Sequence, residues 1–421
     1  MRETYRILAQ GHNISNDTWK TGLNNNDIIC GPSGAGKTRG YVIPNILQFS
    51  ESMIIADTKG ALLGELGGIL KENGYRVLNI DFSDIGAGNG YNPLDYIREG
   101  HEQDIMTIAA AMVPIESREP YWDQAAQTLL QAMIGYALEC LPKKEHDLYT
   151  VTRLFLSGKC DSLFKELEAI DSESFAVTRY RLSRKNKAAD KMIASVEGML
   201  AERLTICSFA GAKRMFQNPN RIHFPQLGEE KTALFLTISD MDRSMDRLIN
   251  LLYVQAFQSL CNAADHSTGH RLKVPVRFYL DDFAANFVIP DFDRITSVIR
   301  SRNIYASIII QSIAQLTGLY DQARASTILN NCDHFLYLGG TDVNTAHLVA
   351  QRANKPVSSI LSMPLDAAML FTRGQPPQMV KKYDLRSHPL YTRLPEYQTQ
   401  LGVDTQPDAD TELGEDAQLG A

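Results

Sequence analysis

Residues 27–48 of the chain read DIICGPSGAGKTRGYVIPNILQ, and this stretch decides the fold. The first four residues form a short, mainly apolar run that is typical of a buried strand. The next eight match the pattern G-x-x-x-x-G-K-[ST] of a phosphate-binding loop. The residues after the loop can start a helix, and the N-terminus of a helix favours a phosphate. This order predicts a nucleoside triphosphate site; the alternative is a glycine-rich turn that matches by chance.

Each part of the loop has its own task. Glycines let the backbone curl around an anion with its N–H groups pointing inward. Lys37 is expected to reach the β- and γ-phosphates, and the Thr38 hydroxyl is expected to ligate magnesium. The predicted nucleotide-binding residues are Gly31, Pro32, Ser33, Gly34, Ala35, Gly36, Lys37 and Thr38.

Short apolar runs that fit buried strands recur along the chain, and helical patterns separate several of them. This alternation predicts an α/β fold with a mainly parallel, doubly wound sheet. In such sheets ligands bind at the carboxyl ends of the strands, which is where the loop falls. The predicted strands are residues 27–30, 53–56, 75–80, 233–238, 276–280, 305–310 and 335–338.

Residues 101–211 contain almost no β-type runs and predict an all-helical insertion. Apolar residues at helical spacing indicate helices over 121–141, 148–156, 161–170 and 189–209. The predicted division is a first part of the nucleotide-binding domain at 1–100, an all-α insertion at 101–222, a second part at 223–393 and a tail at 394–421. The tail carries seven acidic residues and no Lys or Arg beyond Leu394, which predicts disorder.

The composition is that of a globular protein, with 421 residues, 44% hydrophobic and 22% charged. A net charge of −7 argues against a generally basic nucleic-acid coat, but not against a local basic channel. Six widely spaced cysteines without a C-x-x-C pair indicate reduced thiols of a cytoplasmic protein. His266 and His270 are interpreted as surface residues rather than a metal site.

Residues 276–282, VRFYLDD, have the form of a Walker B strand that ends in acidic residues. Asp281 is expected to orient magnesium beside the loop. Asp282 lies where many NTPases place a glutamate that polarises the attacking water, although aspartate is one methylene shorter. The alternative for the pair is a strand end followed by a helix cap, since aspartate caps helices well.

Two further elements follow this strand. Gln311 ends the strand at 305–310 and is a candidate to orient water and report the nucleotide state; the alternative is a polar cap of the next helix. Arg300 and Arg302 precede that strand. They either complement a helix dipole or project into a neighbouring subunit's site, where an arginine stabilises transition-state charge.

These segments together resemble the TraG/TraD-type coupling proteins of type IV secretion and conjugation. The resemblance spans roughly residues 24–350. It rests on GPSGAGKTRGYVIPNIL (31–47), IIADTKGALL (54–63), YNPL (91–94), FYLDDFAAN (278–286), IRSRNIYASIIIQSIAQL (299–316) and LNNCDHFLYLGGTDVNTA (329–346).

The resemblance implies a RecA-like ATPase core with an inserted all-α domain, using ATP and Mg²⁺. It places metal binding on Thr38 and Asp281, the catalytic acid on Asp282, the sensing glutamine on Gln311 and the inter-subunit arginine on Arg300. It also implies single-stranded DNA, a relaxase or other secreted cargo, and type IV secretion channel proteins at the inner membrane as partners. A homo-hexamer is expected on assembly, with a monomer possible in isolation.

Three departures from the family pattern shape these expectations. Asp281-Asp282 stands where the family usually has Asp-Glu, so slower hydrolysis is expected. Thr58 replaces a proline in the segment 57–60, where Asp57 or Thr58 is the expected helix cap and Lys59 could touch a substrate or a partner. Members usually begin with transmembrane helices; here a separate anchor, or a naturally soluble or trimmed chain at the cytoplasmic face of the membrane, is expected.

The insertion is the expected cargo-facing part. Its basic residues could contact phosphates or an acidic cargo signal, or form a solvated helical face. They are Arg179, Arg181, Arg184, Lys185, Lys187 and Lys191.

Two alternatives to an ATP-driven motor stay open on the sequence. One is a cargo receptor with a nucleotide-dependent shape and little turnover, which the short Asp282 side chain motivates. The other is a small-molecule P-loop kinase, which the chain length and the distance from Thr38 to Asp281 fit poorly. No base-reading motif distinguishes ATP from GTP.

Overall fold

The computed structural model describes residues 3–58, 60–184, 190–283 and 288–396. Within them lies a nine-stranded sheet with the strand order β11-β10-β9-β3-β8-β7-β4-β6-β5, and a separate hairpin of β1 and β2. The strands are β1 Tyr5–Ala9, β2 His12–Ser15, β3 Asp27–Cys30, β4 Ser52–Asp57, β5 Arg76–Asp81, β6 Thr232–Thr237, β7 Val276–Leu280, β8 Ile304–Ile310, β9 His334–Tyr337, β10 Ala367–Thr372 and β11 Gln378–Lys381.

The sheet is mainly parallel, as the sequence predicts. Seven strands, from β5 across to β9, pair in parallel, while β10 and β11 are added antiparallel at one edge. The last residue of β3, Cys30, is in register with Ile310 of β8 and Tyr337 of β9. The carboxyl ends of these three neighbouring strands therefore meet at one edge of the sheet.

Both faces of the sheet are covered, because its side chains alternate between two separate hydrophobic clusters. Ile28 and Ile308 belong to one cluster, and Ile29 and Ile309 belong to the other. This arrangement confirms the predicted doubly wound architecture.

Helices fill the connections between the strands. They are α1 Thr18–Thr21, α2 Ile43–Ile46, α3 Ala61–Glu72, α4 Glu102–Met112, α5 Pro120–Cys140, α6 Leu148–Leu156, α7 Cys160–Ile170, α8 Phe175–Ser183, α9 Asp190–Leu204, α10 Ala210–Phe216, α11 Asp246–His266, α12 Phe292–Val298, α13 Ile313–Asn330, α14 Val343–Ala353 and α15 Val357–Leu361. None of the helices in the described part of the chain is both long and apolar enough to cross a membrane.

Helices α4 to α10 make up the stretch that the sequence predicts to be helical, between β5 and β6. The two ends of this stretch are tied together by the backbone, since Gly90 N–H donates to Asn220 O (3.1 Å) and Ile222 N–H donates to Gly90 O (2.9 Å). A chain that leaves and returns at one point fits an insertion into the sheet domain. The exact domain division stays a prediction.

A buried polar network lies at the amino-terminal edge of the sheet. Arg6 Nε of β1 donates to Asp27 Oδ2 of β3 (2.8 Å), and Arg277 of β7 pairs with Asp27 and with Glu51. Burial alone would raise the pKa of Asp27, but the charge of Arg6 and contacts with His334 and Arg277 hold it below its ordinary value. The network fastens the amino-terminal hairpin to the sheet.

Several local predictions need correction. Strands β1, β2, β10 and β11 were not predicted. The helix after the loop begins with a wide π-type turn, Thr38–Val42, before α2. The cap of α3 is Gly60 rather than Asp57 or Thr58, although Asp57 Oδ2 accepts a bond from the Leu63 N–H (3.0 Å) and so still serves the start of that helix.

Candidate functional site

The phosphate-binding loop follows β3 at the carboxyl edge of the sheet. Gly31 N–H donates to Ile310 O of the neighbouring β8 (3.1 Å), which fixes where the loop starts. Gly36 adopts a φ of 91°, a left-handed conformation that side chains rarely take. The space beside Gly36 is open, since apart from Gly36 and its two chain neighbours no atom of the described residues lies within 4 Å of the point that a Cβ would occupy there. The loop therefore has the backbone shape and the clearance that an anion cradle needs.

Lys37 is held inside this loop. Its side chain is only 8% exposed, and Nζ donates to Gly31 O (2.9 Å) and Pro32 O (3.0 Å). The ammonium group thus lies at the centre of the curl, where a phosphate oxygen could replace the carbonyl acceptors. This placement fits the role predicted for Lys37.

Thr38 and Asp281 meet directly. Thr38 Oγ1 donates to Asp281 Oδ2 at 2.8 Å, across 243 residues of chain. Asp281 lies immediately after β7 and is 9% exposed. A hydroxyl and a carboxylate are hard oxygen ligands of the kind that Mg²⁺ prefers. The residues present therefore fit a magnesium ion.

The environment of Asp281 disfavours its charge. Burial raises the pKa of this carboxyl from an ordinary 3.8 to about 6, and the nearby charge of Asp282 adds to the rise. The bond from Thr38 and the charge of Lys37 oppose it. A buried carboxylate whose charge is only partly stabilised by its neighbours is a candidate for a functional site. A bound cation would stabilise that charge.

We expect the Asp281→Asn variant to be more stable than the wild type in the absence of ligand. A difference of about two pH units between the folded and unfolded pKa, at about 1.4 kcal/mol each, predicts a gain of roughly 1–3 kcal/mol at pH 7.5. Because the folded-state pKa is raised, the cost of Asp281 grows as the pH rises from about 4 and is complete above about 6. Urea unfolding at pH 7.5 and at pH 4.5 measures the gain, which should shrink at the lower pH.

The matched control for this prediction is Asp282→Asn. Asp282 is only partly buried and has a left-handed backbone (φ 49°), which asparagine tolerates as well as aspartate. We expect its free energy of unfolding to change little. Equal gains from the two substitutions, or a gain at Asp281 that does not depend on pH, would contradict this account.

Asp282 and Gln311 are also brought together. Gln311 Nε2 donates to Asp282 Oδ1 at 3.4 Å, a long contact between the ends of β7 and β8. The left-handed backbone of Asp282 costs on the order of 1 kcal/mol, and strain of this kind gathers at functional sites. The two side chains therefore form one polar pair beside the loop, next to Asp281.

Arg300 lies elsewhere. It occupies a short turn, Arg300–Arg302, before β8, at the amino-terminal edge of the sheet. The seven residues of β8, roughly 20 Å of strand, separate it from the loop edge. Arg300 Nη2 donates to Gly22 O (3.3 Å), whereas Arg302 pairs through two bonds with Asp265 of α11 (2.7 and 3.0 Å). Arg300 is exposed and cannot reach the loop of its own subunit.

Three of the six basic residues predicted on the insertion have described side chains, and all three make contacts within it. Arg181 pairs with Glu168, and Arg184 pairs with Glu197. Arg179 lies over the ring of Phe175, with 5.2 Å between the guanidinium carbon and the ring centroid. These contacts favour a solvated helical face over a phosphate-binding patch. Lys59, Lys185 and Lys187, the side chain of Lys191, and residues 397–421 of the tail lie outside the described residues.

One contact to the loop has no signal in the sequence. Lys382 Nζ donates to Ala35 O at 3.1 Å. Lys382 lies 347 residues away, just after the edge strand β11, in a stretch without a recognisable motif. Only the path of the chain from that strand back to the loop reveals it.

Comparisons with known proteins agree with this architecture. The sequence model of the family described as type IV secretory system conjugative DNA transfer matches residues 4–355. Protein VirD4 of Agrobacterium fabrum (strain C58 / ATCC 33970) is 24% identical over 341 residues, which cover 77% of this chain and 48% of VirD4. The conjugal transfer protein TraG of Escherichia coli is 31% identical over 113 residues, covering 25% of this chain and 18% of TraG. The chain thus spans about half the length of VirD4, and the match to TraG covers a smaller share still.

Among solved structures, the plasmid coupling protein TrwB in complex with ADP and Mg²⁺ shares the fold. The TM-score is 0.68 at 17% sequence identity, over 91% of this chain and 90% of the TrwB chain. This likeness confirms the predicted RecA-like α/β fold with its helical insertion.

Proposed function

The chain belongs to the type IV secretory system conjugative DNA transfer family, and we propose that it is an ATP-hydrolysing coupling protein that drives DNA or nucleoprotein into a type IV secretion channel. The observation that carries this proposal is the 2.8 Å hydrogen bond between Thr38 and Asp281. It joins the phosphate-binding loop to the acidic strand end, so that both can act on one metal–triphosphate.

The proposed ligand is ATP with Mg²⁺. TrwB, which shares the fold, has been solved with ADP and Mg²⁺. Lys37 and the loop would hold the phosphates, and Thr38 and Asp281 would hold Mg²⁺, which neutralises charge on the phosphates when bound. Because Asp281 is buried, its charged form is unfavourable in the free protein. A bound cation would stabilise that charged form.

The second step is to place the attacking water. Asp282 is proposed as the general base and Gln311 as the residue that orients the water, since their side chains already meet at the ends of two strands close to the loop. Arg300 is proposed to serve the site of a neighbouring subunit. A residue that acts in trans must lie far from its own loop, and the position of Arg300 meets that requirement.

The proposed partners follow from the family. They are single-stranded DNA, a relaxase or other secreted cargo, and channel proteins at the inner membrane, with six copies of the chain in the working ring. The proposed location is the cytoplasmic face of the cell membrane. The insertion at residues 101–222 is proposed to face the cargo.

The ATPase rate per protomer, measured against protein concentration with and without single-stranded DNA, tests the proposal. We expect the rate to rise steeply with concentration, because each site needs an arginine from a neighbour, and to rise further with DNA. The Lys37→Ala variant, prepared in the same way, controls for contaminating ATPases.

Two results would count against the proposal. A rate per protomer that is independent of both concentration and DNA would exclude a site shared between subunits and a DNA-driven motor. Stimulation by a cargo protein, with no response to single-stranded DNA, would favour a protein-secretion adaptor over a DNA pump.

A further inference from the structure

A basic surface lies on the helical insertion, around the first two turns of α6. Its cationic side chains come from the turn that leads into α6, from α6 itself and from α10, and all of them are exposed. They are Lys143, Lys144, Arg153, Lys213 and Arg214. Among the described residues, no carboxylate oxygen lies within 4.0 Å of a cationic nitrogen of any of the five. The surface therefore presents five unpaired positive charges.

Two of these cations share one aromatic ring, that of Tyr149 in α6. The guanidinium carbon of Arg153 lies 5.8 Å from the ring centroid, and the ammonium nitrogen of Lys213 lies 5.5 Å from it. Helix α10 is fixed against α6 at this point, because Gln217 Nε2 donates to Asp147 Oδ2 (2.9 Å). The packing of two helices thus holds like charges together.

The acidic residues near this surface leave its charge in place. Asp147 is buried and caps α6, where its Oδ1 accepts a bond from the Thr150 N–H (2.8 Å). Glu145 lies in the same turn as the two lysines and makes no ion pair within the described chain. Elsewhere, exposed arginines such as Arg76 and Arg98 are paired with carboxylates. Like charges repel, so a polyanion on the basic surface would be stabilising.

The opposite charge is concentrated in residues 397–421, which we call the acidic tail. It holds six acidic residues and no Lys or Arg, and so carries six of the seven net negative charges of the chain. The described chain ends at Glu396, which pairs with Arg39 beside the phosphate-binding loop.

The acidic tail is long enough to reach the insertion. At up to about 3.3 Å per residue, it spans as much as about 80 Å. A folded domain of about 400 residues has a radius of gyration of only about 21 Å. Chain length therefore places the basic surface within the range of the tail.

We propose that the acidic tail docks on the basic surface of the insertion in its own copy of the chain and keeps that surface closed to other polyanions. Each ion pair between exposed side chains is weak. The tether compensates, because it holds the tail at an effective concentration on the order of a millimolar. The contact needs neither bound nucleotide nor hydrolysis, so it goes beyond the function proposed above.

Carbodiimide cross-linking of the full wild-type chain, followed by mass spectrometry, tests the contact, because this reagent joins a carboxylate to a lysine amine. Links from the acidic tail should fall on Lys143, Lys144 and Lys213. They should disappear at 1 M salt, where the screening length is only about 3 Å. Lys71 and Lys355, exposed lysines outside the insertion, are the matched references.

Three cross-linking results would overturn the proposal. The first is links that are as frequent on the reference lysines as on the basic surface. The second is links that persist at 1 M salt. The third, in a mixture of isotopically light and heavy chains, is links that form only between different copies. This experiment needs no substitution, so it decides the question even if a variant misfolds.

A competition experiment measures the closure. The probe is a fluorescent peptide with the sequence of residues 397–421, added to the full chain. A chain with a neutralised tail should bind the peptide at least about tenfold more tightly than the wild type, because its own tail no longer occupies the surface. The neutralising substitutions are Asp404→Asn, Asp408→Asn, Asp410→Asn, Glu412→Gln, Glu415→Gln and Asp416→Asn.

Charge reversal locates the binding surface. Arg153→Glu with Lys213→Glu, added to the chain with the neutralised tail, should remove the tight binding of the peptide. Lys71→Glu with Lys355→Glu, the matched control, should keep it. Equal affinities of the wild type and the chain with the neutralised tail, or tight binding that survives reversal of Arg153 and Lys213, would refute docking of the tail on this surface.

Discussion

Replacement of Arg300 by alanine is expected to lower the ATPase rate on the order of a thousandfold, the usual effect of losing an arginine supplied in trans. The side chain is exposed, and the described contact it makes is with a backbone carbonyl, Gly22 O at 3.3 Å. Its removal should therefore cost little stability. The measurement is the steady-state rate at a concentration where the wild-type rate per protomer has reached its plateau.

Mixing two inactive variants separates an action in trans from one in cis. Arg300→Ala keeps an intact loop, and Lys37→Ala keeps an intact arginine. In a mixed ring, the loop of the first variant can meet the arginine of the second, so part of the wild-type rate should return on mixing. Co-assembly shown by tagged subunits, without any recovery of the rate, would refute the trans role.

Arg302→Ala is the matched control, two residues away on the same turn. Arg302 is committed to Asp265 of its own subunit by two hydrogen bonds of 2.7 and 3.0 Å. We expect the variant to retain most of the rate. A loss as large as that of Arg300→Ala would show that the turn as a whole matters, and that Arg300 has no special part.

The central strands were predictable because a buried parallel strand is apolar on both faces. All seven predicted runs are strands of the sheet, and the bounds of β3 and β7 agree at both ends. The hairpin strand β2, His12–Ser15, and the edge strand β11, Gln378–Lys381, were missed because they are short and partly exposed, so they lack such a run. Whether a strand is added parallel or antiparallel also depends on the path of the chain, which the pattern does not contain.

The contacts of the candidate site also divide into those that a sequence pattern predicts and those that depend on the path of the chain. Lys37 and Thr38 lie in a local motif, and Asp281 follows a strand that must end at the same edge, so their meeting could be inferred. The ion pair of Arg39 with Glu396 could not be inferred from the sequence. Those residues are 357 positions apart, and ion pairs between exposed side chains depend on loop paths that no periodicity records.

Lys37→Ala is expected to lower the affinity for Mg²⁺-ATP on the order of a hundredfold or more and to abolish measurable turnover. The variant lacks the positive charge that is expected to stabilise negative charge on the phosphates in the transition state. The ammonium group is buried in the loop and bonds to two carbonyl oxygens, Gly31 O and Pro32 O. Lys382 is not expected to take its place, because its ammonium group bonds to a different carbonyl, Ala35 O.

The shift in melting temperature on adding Mg²⁺-ATP measures this loss, because a ligand stabilises the folded state in proportion to the logarithm of its concentration over Kd. The wild type should gain stability and the variant should not. Lys20→Ala, which removes an exposed lysine paired with Glu3 far from the loop, is the control and should keep the full shift. Removing Lys37 also leaves Gly31 O and Pro32 O without their donor, so the variant itself should melt somewhat lower. A lower melting temperature that still rises normally with Mg²⁺-ATP would mean that the triphosphate binds elsewhere, and the proposed role of the trans arginine would then lose its premise.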